Sequence, residues 1–329
     1  MTPDALRALV ARALENSNTA PANATSVATA LVQAEIDGQK GHGLSRVPAY
    51  AAQARSGKVA GRAKPRVMRP RPGAVVVDAA DGFAFPALDV AIAELAAIAP
   101  AQGIGVAAIH HSHHFGVAGR PVERLAEQGL IAIAMGNSPK AIAPWGGTQA
   151  IFGTNPIAFA APRRKDPPLV IDLSLSKVAR GRVMVAAQKG EAIPEGWALD
   201  RDGRPTTDAK AALDGAMLPM GDAKGAALVL MVEILAAALT ASHLGFEAAS
   251  FFTADGPPPR VGQMLLAIDP DALSGGAFAE RLETLLAAML AQPGVRLPGM
   301  RRLANRAKAA SGPIEVDGKL LAEIEALAR

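Results

Sequence analysis

The sequence contains no cysteine among its 329 residues. This absence excludes a disulfide framework, a thiol nucleophile, a cysteine-ligated zinc site and an iron–sulfur cluster. Aromatic residues make up only 4% of the chain, with a single tyrosine, and the formal net charge is a mild +4. Nucleic-acid-binding chains usually carry a basic stripe or tail interleaved with stacking aromatics. We therefore expect no nucleic-acid partner, and we read the positive charge as a solvated surface with a small anionic ligand.

Long uncharged apolar runs are also missing. The longest apolar stretch, residues 225–241, carries Glu233 in its middle, whereas a membrane span needs about 20 apolar residues without such a charge. The chain opens with Thr2 and Pro3, an N-cap and a first-turn proline that are typical of an amphipathic helix rather than a signal peptide. We expect a soluble, cytoplasmic protein with no membrane partner.

Apolar strand-like runs alternate with helical patterns from residue 74 onward, which favours an α/β (α+β) core. The predicted strands are 74–78, 105–109, 130–135, 157–161, 169–173 and 261–268. The basic segment 57–73 is expected to be a linker or an extended arm. We predict an N-terminal helical domain of residues 1–62, to which residues 277–329 return. A sheet domain of residues 63–276 then carries a helical excursion at about 190–245.

The segment from Gly103 to Ala108 nominally matches the dinucleotide-binding pattern G-x-G-x-x-G/A. That pattern requires its glycines in the turn between a strand and a helix. Here the glycines stand at the start of a strand, and no acidic residue follows at the required distance. We therefore predict a fold that is not of the Rossmann type.

Four of the six histidines fall within five positions, His110, His111, His113 and His114. They stand where a predicted strand ends and a helix begins, a place that suits an anionic ligand or proton transfer. A metal site is the rival interpretation. No carboxylate lies nearby in the sequence, and zinc usually takes three protein ligands, so we expect no metal and at least one histidine without a chemical role.

A second candidate segment pairs His42 with Arg46. On a helix these two side chains would share a face, and a general acid beside a carboxylate clamp suits reduction of a 2-oxo or 2-imino acid. Spacing alone, however, favours an ordinary surface turn.

These segments, in order, resemble the malate/L-lactate dehydrogenase-like family of NAD(P)-dependent oxidoreductases, and most closely its cyclic imino-acid reductase branch. The resemblance covers nearly the whole chain. Its landmarks are His42-Gly43-x-x-Arg46, His114-Phe115-Gly116, Ala143-Pro144-x-Gly146-Gly147, Gly153-Thr154-Asn155-Pro156, Asp172-Leu173-Ser174, Val178-Ala179-Arg180-Gly181, Lys224-Gly225 and Gly299-Met300-Arg301-Arg302. The resemblance implies a non-Rossmann nicotinamide-binding sheet domain, with the N- and C-terminal helices packed together.

The resemblance also implies roles for individual residues. His42 corresponds to the proton donor and Arg46 to the carboxylate clamp, while His114 is a second acid/base candidate. Thr154 corresponds to a substrate contact, and Arg182 is assigned to the substrate side. The cofactor residues it implies are His111, Ser112, His113, His114, Phe115, Asp172, Leu173, Ser174, Lys224 and Met300. We expect NADPH, with NADH possible, a substrate that carries a carboxylate, and a homodimer.

Two positions depart from the imino-acid reductase pattern. A serine before the donor histidine and an aspartate after the Ala-Arg-Gly segment form a relay in that branch, and Gly41 and Arg182 stand at those places here. A neighbouring cation lowers the pKa of an imidazole, so His42 is expected to be a weakened acid. A cyclic imine can enter as an iminium ion and needs little further acid catalysis, whereas a ketone needs a proton.

The sequence therefore predicts an NAD(P)H-dependent reductase of small 2-imino acids such as pyrroline- or piperideine-2-carboxylate. The alternative within the family is a 2-hydroxy-acid dehydrogenase of the malate or L-lactate type. A histidine-bound metallohydrolase and a ligand-binding module without turnover are the alternatives from other classes.

Overall fold

The computed structural model describes residues 1–329. Its ten strands are β1 (Arg66–Arg71), β2 (Ala74–Asp78), β3 (Ile104–Ser112), β4 (Ile131–Gly136), β5 (Ile157–Ala161), β6 (Leu169–Leu173), β7 (Ala198–Leu199), β8 (Pro205–Thr206), β9 (Ala216–Met217) and β10 (Val261–Ile268). Seven of them form one sheet in the order β1-β2-β3-β10-β4-β5-β6, and the other three form a small sheet in the order β8-β7-β9. The α/β class predicted from the sequence is confirmed.

Twelve helices surround these sheets. They are α1 (Pro3–Glu15), α2 (Pro21–Ile36), α3 (Val47–Ser56), α4 (Ala84–Gln102), α5 (Gly119–Ala126), α6 (Arg180–Lys189), α7 (Ala209–Asp214), α8 (Asp222–Glu233), α9 (Pro270–Ser274), α10 (Phe278–Leu290), α11 (Met300–Ser311) and α12 (Gly318–Leu327). Two short 3-10 turns, Lys40–His42 and Leu44–Arg46, connect α2 to α3, and a π-helical turn, Ile234–Ala238, continues α8.

The sheet brings together strands that are distant in sequence. Strands β2 and β3 are parallel, with Asp78 beside His110, and α4 connects them. Strand β10, from late in the chain, lies antiparallel between β3 and β4. The end of β3, which carries the histidines, is therefore flanked by the end of β2 and the start of β10.

Helix α4 is the one helix whose length and hydropathy would also suit a membrane span. It packs on β2, β3 and β10, and its side chains Ala91 and Leu95 are fully buried. A core helix of an α/β protein is apolar for the same reason, so α4 is accounted for by the fold.

The two ends of the chain meet, as the resemblance implies. Helix α12 packs on α1 and α3, and the backbone N–H of Ile314 donates to the carbonyl of Met1 at 2.8 Å. Helix α10 lies beside the segment that follows β5, where its residue Glu283 pairs with Arg163 at 2.8 Å. The domain boundaries at residues 62 and 276 stay a prediction.

Two local predictions are corrected by the fold, and one helix was not predicted. The segment 57–73 contains strand β1, which pairs with β2 at the edge of the sheet, where an arginine-rich, proline-containing strand is tolerated. The excursion at about 190–245 is helical only in part, because it also contains the small three-stranded sheet. Helix α11 was not predicted, since its sequence is arginine-rich and has only two large apolar residues, Met300 and Leu303.

Helix α11 is held to the body of the protein by an ionic cluster. Arg306 donates to Asp37 at the end of α2, at 2.6 and 2.7 Å, and to Glu123 on α5, at 2.8 Å. Glu123 is almost wholly buried, and its hydrogen bond from Arg306, with the charges of Arg302 and Arg306, outweighs burial and lowers its pKa. Because a buried carboxylate needs such partners, this cluster anchors α11 to α2 and α5.

Candidate functional site

The histidine-rich end of β3 is a bent segment buried in the protein. His111 has a left-handed backbone, with φ of 46°, an uncommon conformation for a residue with a side chain. Beyond this bend, His113 and His114 are buried at 1% and 8% exposure. The side-chain amide of Gln263 on β10 donates to the carbonyl of His113 at 3.1 Å. The bend therefore turns these two rings into the interior, while His110 and His111 stay near the surface.

The loop that carries His42 and Arg46 is fixed by a buried carboxylate. The backbone N–H of Leu44 donates to Glu35 Oε2 at 3.0 Å, and a Cβ at position 43 would collide with that carboxylate. Gly43 is thus required by a close approach. Arg46 also donates through Nε to the carbonyl of Gly41, at 2.7 Å, which closes the loop on itself.

A chain of hydrogen bonds connects this loop with the end of β3. His42 Nδ1 lies 3.2 Å from His114 Nε2, and His114 Nδ1 lies 2.6 Å from the hydroxyl of Tyr50. The two imidazole rings are stacked, with centroids 5.2 Å apart. The two histidines that the resemblance singles out are therefore neighbours, and Tyr50 orients them.

The three ionisable side chains in this chain of hydrogen bonds, those of His42, His114 and Tyr50, are neutral at neutral pH. Burial, and then the charge of Arg46, lower the pKa of His42 to about 4. The same two causes, with smaller contributions from His42 and His113, lower the pKa of His114 well below its usual range. Burial raises the pKa of Tyr50 far above its usual value. His42 was expected to be a weak acid because of Arg182, and the direction agrees, but the causes are burial and Arg46.

In their neutral forms, the hydrogen-bonded residues His42, His114 and Tyr50 can accept a proton from the substrate but cannot readily donate one to it. When Tyr50 accepts from His114 Nδ1–H, and His114 Nε2 accepts from His42 Nδ1–H, the Nε2 atom of His42 is a free acceptor. Donation from His42 requires either its imidazolium form or a shift of protons that ends in a tyrosinate. Both are disfavoured by the pKa shifts of these groups. At neutral pH His42 is therefore in its neutral form and is a weak base, and it donates only through its minor imidazolium form.

Arg46 has an unsatisfied donor. Its Nη1 atom is buried and has no hydrogen-bond partner in the protein, and its guanidinium lies 4.4 Å from the ring centroid of Phe252. A buried guanidinium N–H without an acceptor is costly, and a carboxylate is the acceptor whose geometry the guanidinium matches. This is the strongest indication of an anionic substrate.

Lys58 fixes the conformation of the loop of residues 250–255, which carries Phe252. Its Nζ atom donates to the carbonyls of Ser250, Thr253 and Asp255, at 2.8, 2.9 and 2.8 Å. In the same loop, Phe251 packs against the rings of His113 and His114. The lysine thus shapes the loop into an aromatic cover over the histidines, which keeps water from them.

We expect the variant Tyr50→Phe to keep its fold and to lose control of the His114 tautomer. Removal of one neutral hydrogen bond is worth about 0.5–1.5 kcal/mol, which corresponds to a fall in kcat of about 2- to 13-fold. KM should be unchanged, since Tyr50 does not face the substrate. Nitrogen NMR of the labelled imidazoles measures the tautomer, and an unchanged His114 signal in the variant would contradict this role.

The residues implied for the cofactor fall into two connected groups. In the first, the backbone N–H of Gly119 at the start of α5 donates to Asp172 Oδ2 at 2.8 Å. A Cβ at Gly299, just before Met300, would lie 3.5 Å from the carbonyl of Val170 on β6. Asp172 therefore lies beside the start of α5 and Met300 follows a turn beside β6, while Phe115 lies in the loop that leads into α5.

The second group lies around the start of α8. After Ser174, Leu175 accepts from the backbone N–H of Met220 at 2.9 Å, and Met220 precedes α8 and its exposed Lys224. Thr154 joins the same region, because its carbonyl accepts from the N–H of Leu175 at 2.9 Å. Thr154 has no hydrogen bond to the histidines, and Arg182 is exposed in the first turn of α6 without an ion-pair partner.

Several polar atoms near these groups lack partners in the protein. Ser112 Oγ, both ring nitrogens of His113, and Arg302 Nε and Nη2 are buried without a hydrogen bond. Arg302 Nη2 lies 3.1 Å from Glu123, which is an ion pair without hydrogen-bond alignment. An amide and phosphates would satisfy such atoms. The residues present therefore fit a nicotinamide dinucleotide, which Asp172, Arg302 and Ser112 would help to hold.

Sequence reasoning missed four residues that shape this site, namely Glu35, Tyr50, Lys58 and Phe251. Tyr50 had a detectable signal, since it is the only tyrosine and stands one helical turn after Arg46. The other three act through contacts with segments remote in sequence, so no local pattern marks them.

The whole fold matches solved oxidoreductases. The crystal structure of Δ1-piperideine-2-carboxylate reductase from Pseudomonas syringae pv. tomato superimposes with a TM-score of 0.95 at 40% sequence identity, covering 99% of both chains. Together with the site, this likeness defines the chain as an NAD(P)-dependent oxidoreductase.

The particular family follows from the sequence profile that the chain matches. The profile of the malate/L-lactate dehydrogenase family matches residues 1–325, so the chain belongs to that family. It is 56% identical over 299 residues to (2R)-3-sulfolactate dehydrogenase (NADP(+)) of Chromohalobacter salexigens, covering 91% of this chain and 89% of that protein. It is 43% identical over 306 residues to the Δ1-pyrroline-2-carboxylate/Δ1-piperideine-2-carboxylate reductase of Pseudomonas putida, covering 92% and 89%.

Proposed function

We propose that this protein catalyses NADP-dependent hydride transfer at C2 of a short 2-substituted carboxylic acid. The observation that carries the proposal is the buried, unpartnered Nη1 of Arg46 in the same loop as His42. A bound dihydronicotinamide supplies the hydride. Arg46 binds the substrate carboxylate, and the aromatic cover of Phe251 and Phe252 excludes water from the reacting carbon.

Among such substrates, the site favours one that binds already protonated. His42 is neutral above about pH 4, because burial and Arg46 lower its pKa. A cyclic imine that enters as the iminium ion needs only the hydride, so the neutral His42 is no disadvantage. We therefore propose Δ1-pyrroline-2-carboxylate or Δ1-piperideine-2-carboxylate as the substrate, and relatives that act on both support this choice.

Oxidation of a 2-hydroxy acid is the second candidate, and the 56% identity to a 3-sulfolactate dehydrogenase favours it. In this direction the neutral His42 accepts the hydroxyl proton at Nε2 as the hydride leaves C2. Arg46 would bind the carboxylate. Arg182, which is exposed and unpaired, would supply a cation for a second anionic group such as a sulfonate.

A substrate panel separates these candidates. NADPH consumption is measured with Δ1-pyrroline-2-carboxylate, Δ1-piperideine-2-carboxylate, pyruvate, oxaloacetate and sulfopyruvate, and NADP+ reduction with proline, malate, lactate and (2R)-3-sulfolactate. We expect the highest kcat/KM with a cyclic imine. A preference for sulfopyruvate and sulfolactate selects the second candidate, and no turnover with any of these acids overturns the proposed function.

The cofactor and the assembly complete the proposal. NADPH is favoured over NADH because Arg302 has buried, unsatisfied donors beside the start of α11, and because a relative is named for NADP(+). A homodimer in the cytoplasm is proposed from the family resemblance. Parallel assays with NADH, and light scattering of the purified protein, test these two points.

A further inference from the structure

Apart from His42, Arg46 and His114, the structure brings together three side chains with the chemistry of metal ligands, and one of them, His111, is also among the residues that the resemblance implies for the cofactor. Asp78, His110 and His111 each offer one ligand atom, and these atoms lie within 4.8 Å of one another. The sequence analysis disfavours a metal here, because no carboxylate is near the histidines along the chain. Strand pairing supplies the carboxylate, since β2 lies parallel to β3 with Asp78 in register with His110.

The backbone at His111 completes the cluster. Successive side chains of a strand point to opposite faces, so His110 and His111 would normally diverge. The left-handed φ of 46° at His111 breaks that alternation, and the two ring centroids lie 4.4 Å apart. A strained backbone of this kind is a reasonable mark of a functional position. The Nδ1 atom of His111 then lies 3.0 Å from Asp78 Oδ1.

His110 and Asp78 each have a ligand atom that the protein leaves without a partner. His110 Nε2 is buried without a hydrogen-bond partner. The described hydrogen bonds of the Asp78 side chain, from the N–H of Ala80 and from His111, both end on Oδ1, so Oδ2 is available. The side chains of His111 and Asp78 are 38% and 21% exposed, which leaves a path for an ion from solvent.

The charges around the cluster also bear on the binding of a cation. The neighbouring cation Arg260 is paired with Asp81, at 2.9 Å, so its repulsion of an ion is reduced.

We propose that Asp78, His110 and His111 form a binding site for a divalent transition-metal ion such as Zn²⁺ or Co²⁺. Two imidazoles and one carboxylate are a borderline-soft ligand set, which favours these ions over Mg²⁺ and Ca²⁺. Zinc takes nitrogen and oxygen ligands at about 2.0–2.2 Å, so the three side chains need to draw together slightly. The fourth position is left to water, and an occupied site ties the bend of β3 to β2.

The test is a titration of the full-length, tag-free, chelator-dialysed protein with CoCl₂ alone, followed by visible absorption spectroscopy. We expect d–d bands that saturate at one Co²⁺ per chain and vanish on addition of ZnCl₂. The variants Asp78→Asn, His110→Asn and His111→Asn are each expected to lose the bands. Asparagine is chosen at position 111 because it tolerates a left-handed backbone, so this variant keeps the bend and the fold.

Two controls make the outcome decisive. His243→Asn removes a histidine outside the cluster, whose ring contacts the carbonyl of Pro259, and it should keep the bands. His42→Asn should also keep them. Absence of bands in the wild-type protein overturns the proposal, and so do bands that survive the Asp78, His110 and His111 variants but are lost in His42→Asn. Circular dichroism of each variant verifies that it is folded.

Discussion

The variant Arg46→Ala is expected to lose about 30- to 4,000-fold in kcat/KM for every carboxylate substrate. Truncation of one partner of a buried, hydrogen-bonded charge pair costs about 2–5 kcal/mol, and each 1.4 kcal/mol is a factor of ten. The buried Nη1 of Arg46 has no acceptor in the protein, so its interaction with substrate is not offset by an internal bond that breaks. The loss should fall mainly on KM, as expected when an interaction is made in both the ground and the transition state.

A second consequence separates this role from a structural one. Arg46 is a named cause of the lowered pKa of both His42 and His114. Its removal should therefore raise the pKa of these histidines and move the pH profile of the variant upward. Low concentrations of guanidinium chloride should restore part of the activity. Arg55→Ala, at the exposed end of helix α3, is the matched control and should behave like the wild-type protein. Unchanged KM and pH profile in Arg46→Ala would mean that another cation binds the carboxylate.

Much of the sheet could be predicted because its strands are short apolar runs with clear boundaries. The predicted run 157–161 has the same bounds as β5, and 74–78 the same bounds as β2. The pattern failed where residues are held by partners rather than by their own periodicity. Helix α11 buries no apolar side chain completely and is held by the ion pairs of Arg306 with its two carboxylates.

The candidate site was predictable as a set of segments but not as an arrangement. The resemblance named His42 and His114, yet only the fold brings the ring nitrogens of these residues within 3.2 Å of each other. The role of Tyr50 depends on its contact with His114, which lies 64 positions later in the sequence. Asp78 and His110 are 32 positions apart and become neighbours only because β2 and β3 pair in parallel. Such contacts leave no spacing pattern in a single sequence, because strand order and helix packing are set by the whole chain.

The cation that lowers the pKa of His42 was likewise not identifiable from the sequence pattern. Arg182 was expected to be the cation that weakens His42 because it stands where the imino-acid reductase pattern of the resemblance has an aspartate. The side chain that acts on His42 is Arg46, in the same loop, and burial has the larger effect. The direction of the pKa shift was thus predictable from nearby cations, but its main cause required knowledge of burial.

The variant His42→Ala is expected to separate ketone reduction from imine reduction. General acid catalysis by a positioned side chain contributes about 10²- to 10⁴-fold, and a ketone needs that proton as the hydride arrives. We therefore expect kcat with sulfopyruvate or oxaloacetate to fall within this range. With Δ1-piperideine-2-carboxylate, which enters as an iminium ion, the fall should be less than about tenfold, since the proton is already present.

The wild-type pH dependence provides an independent measure of the same group. Because the pKa of His42 is lowered to about 4, its imidazolium fraction falls tenfold with each pH unit above that value. In the wild-type protein, kcat/KM for ketone reduction should therefore decrease as the pH rises from 6 to 8, and 2-hydroxy-acid oxidation should lack this decrease. In His42→Ala the slope for ketone reduction should disappear, whereas His243→Asn should keep it. Equal losses with ketone and imine substrates, together with an unchanged slope in His42→Ala, would assign the proton to another group, and His114, which lies next along the hydrogen-bonded chain, would then be the first residue to replace.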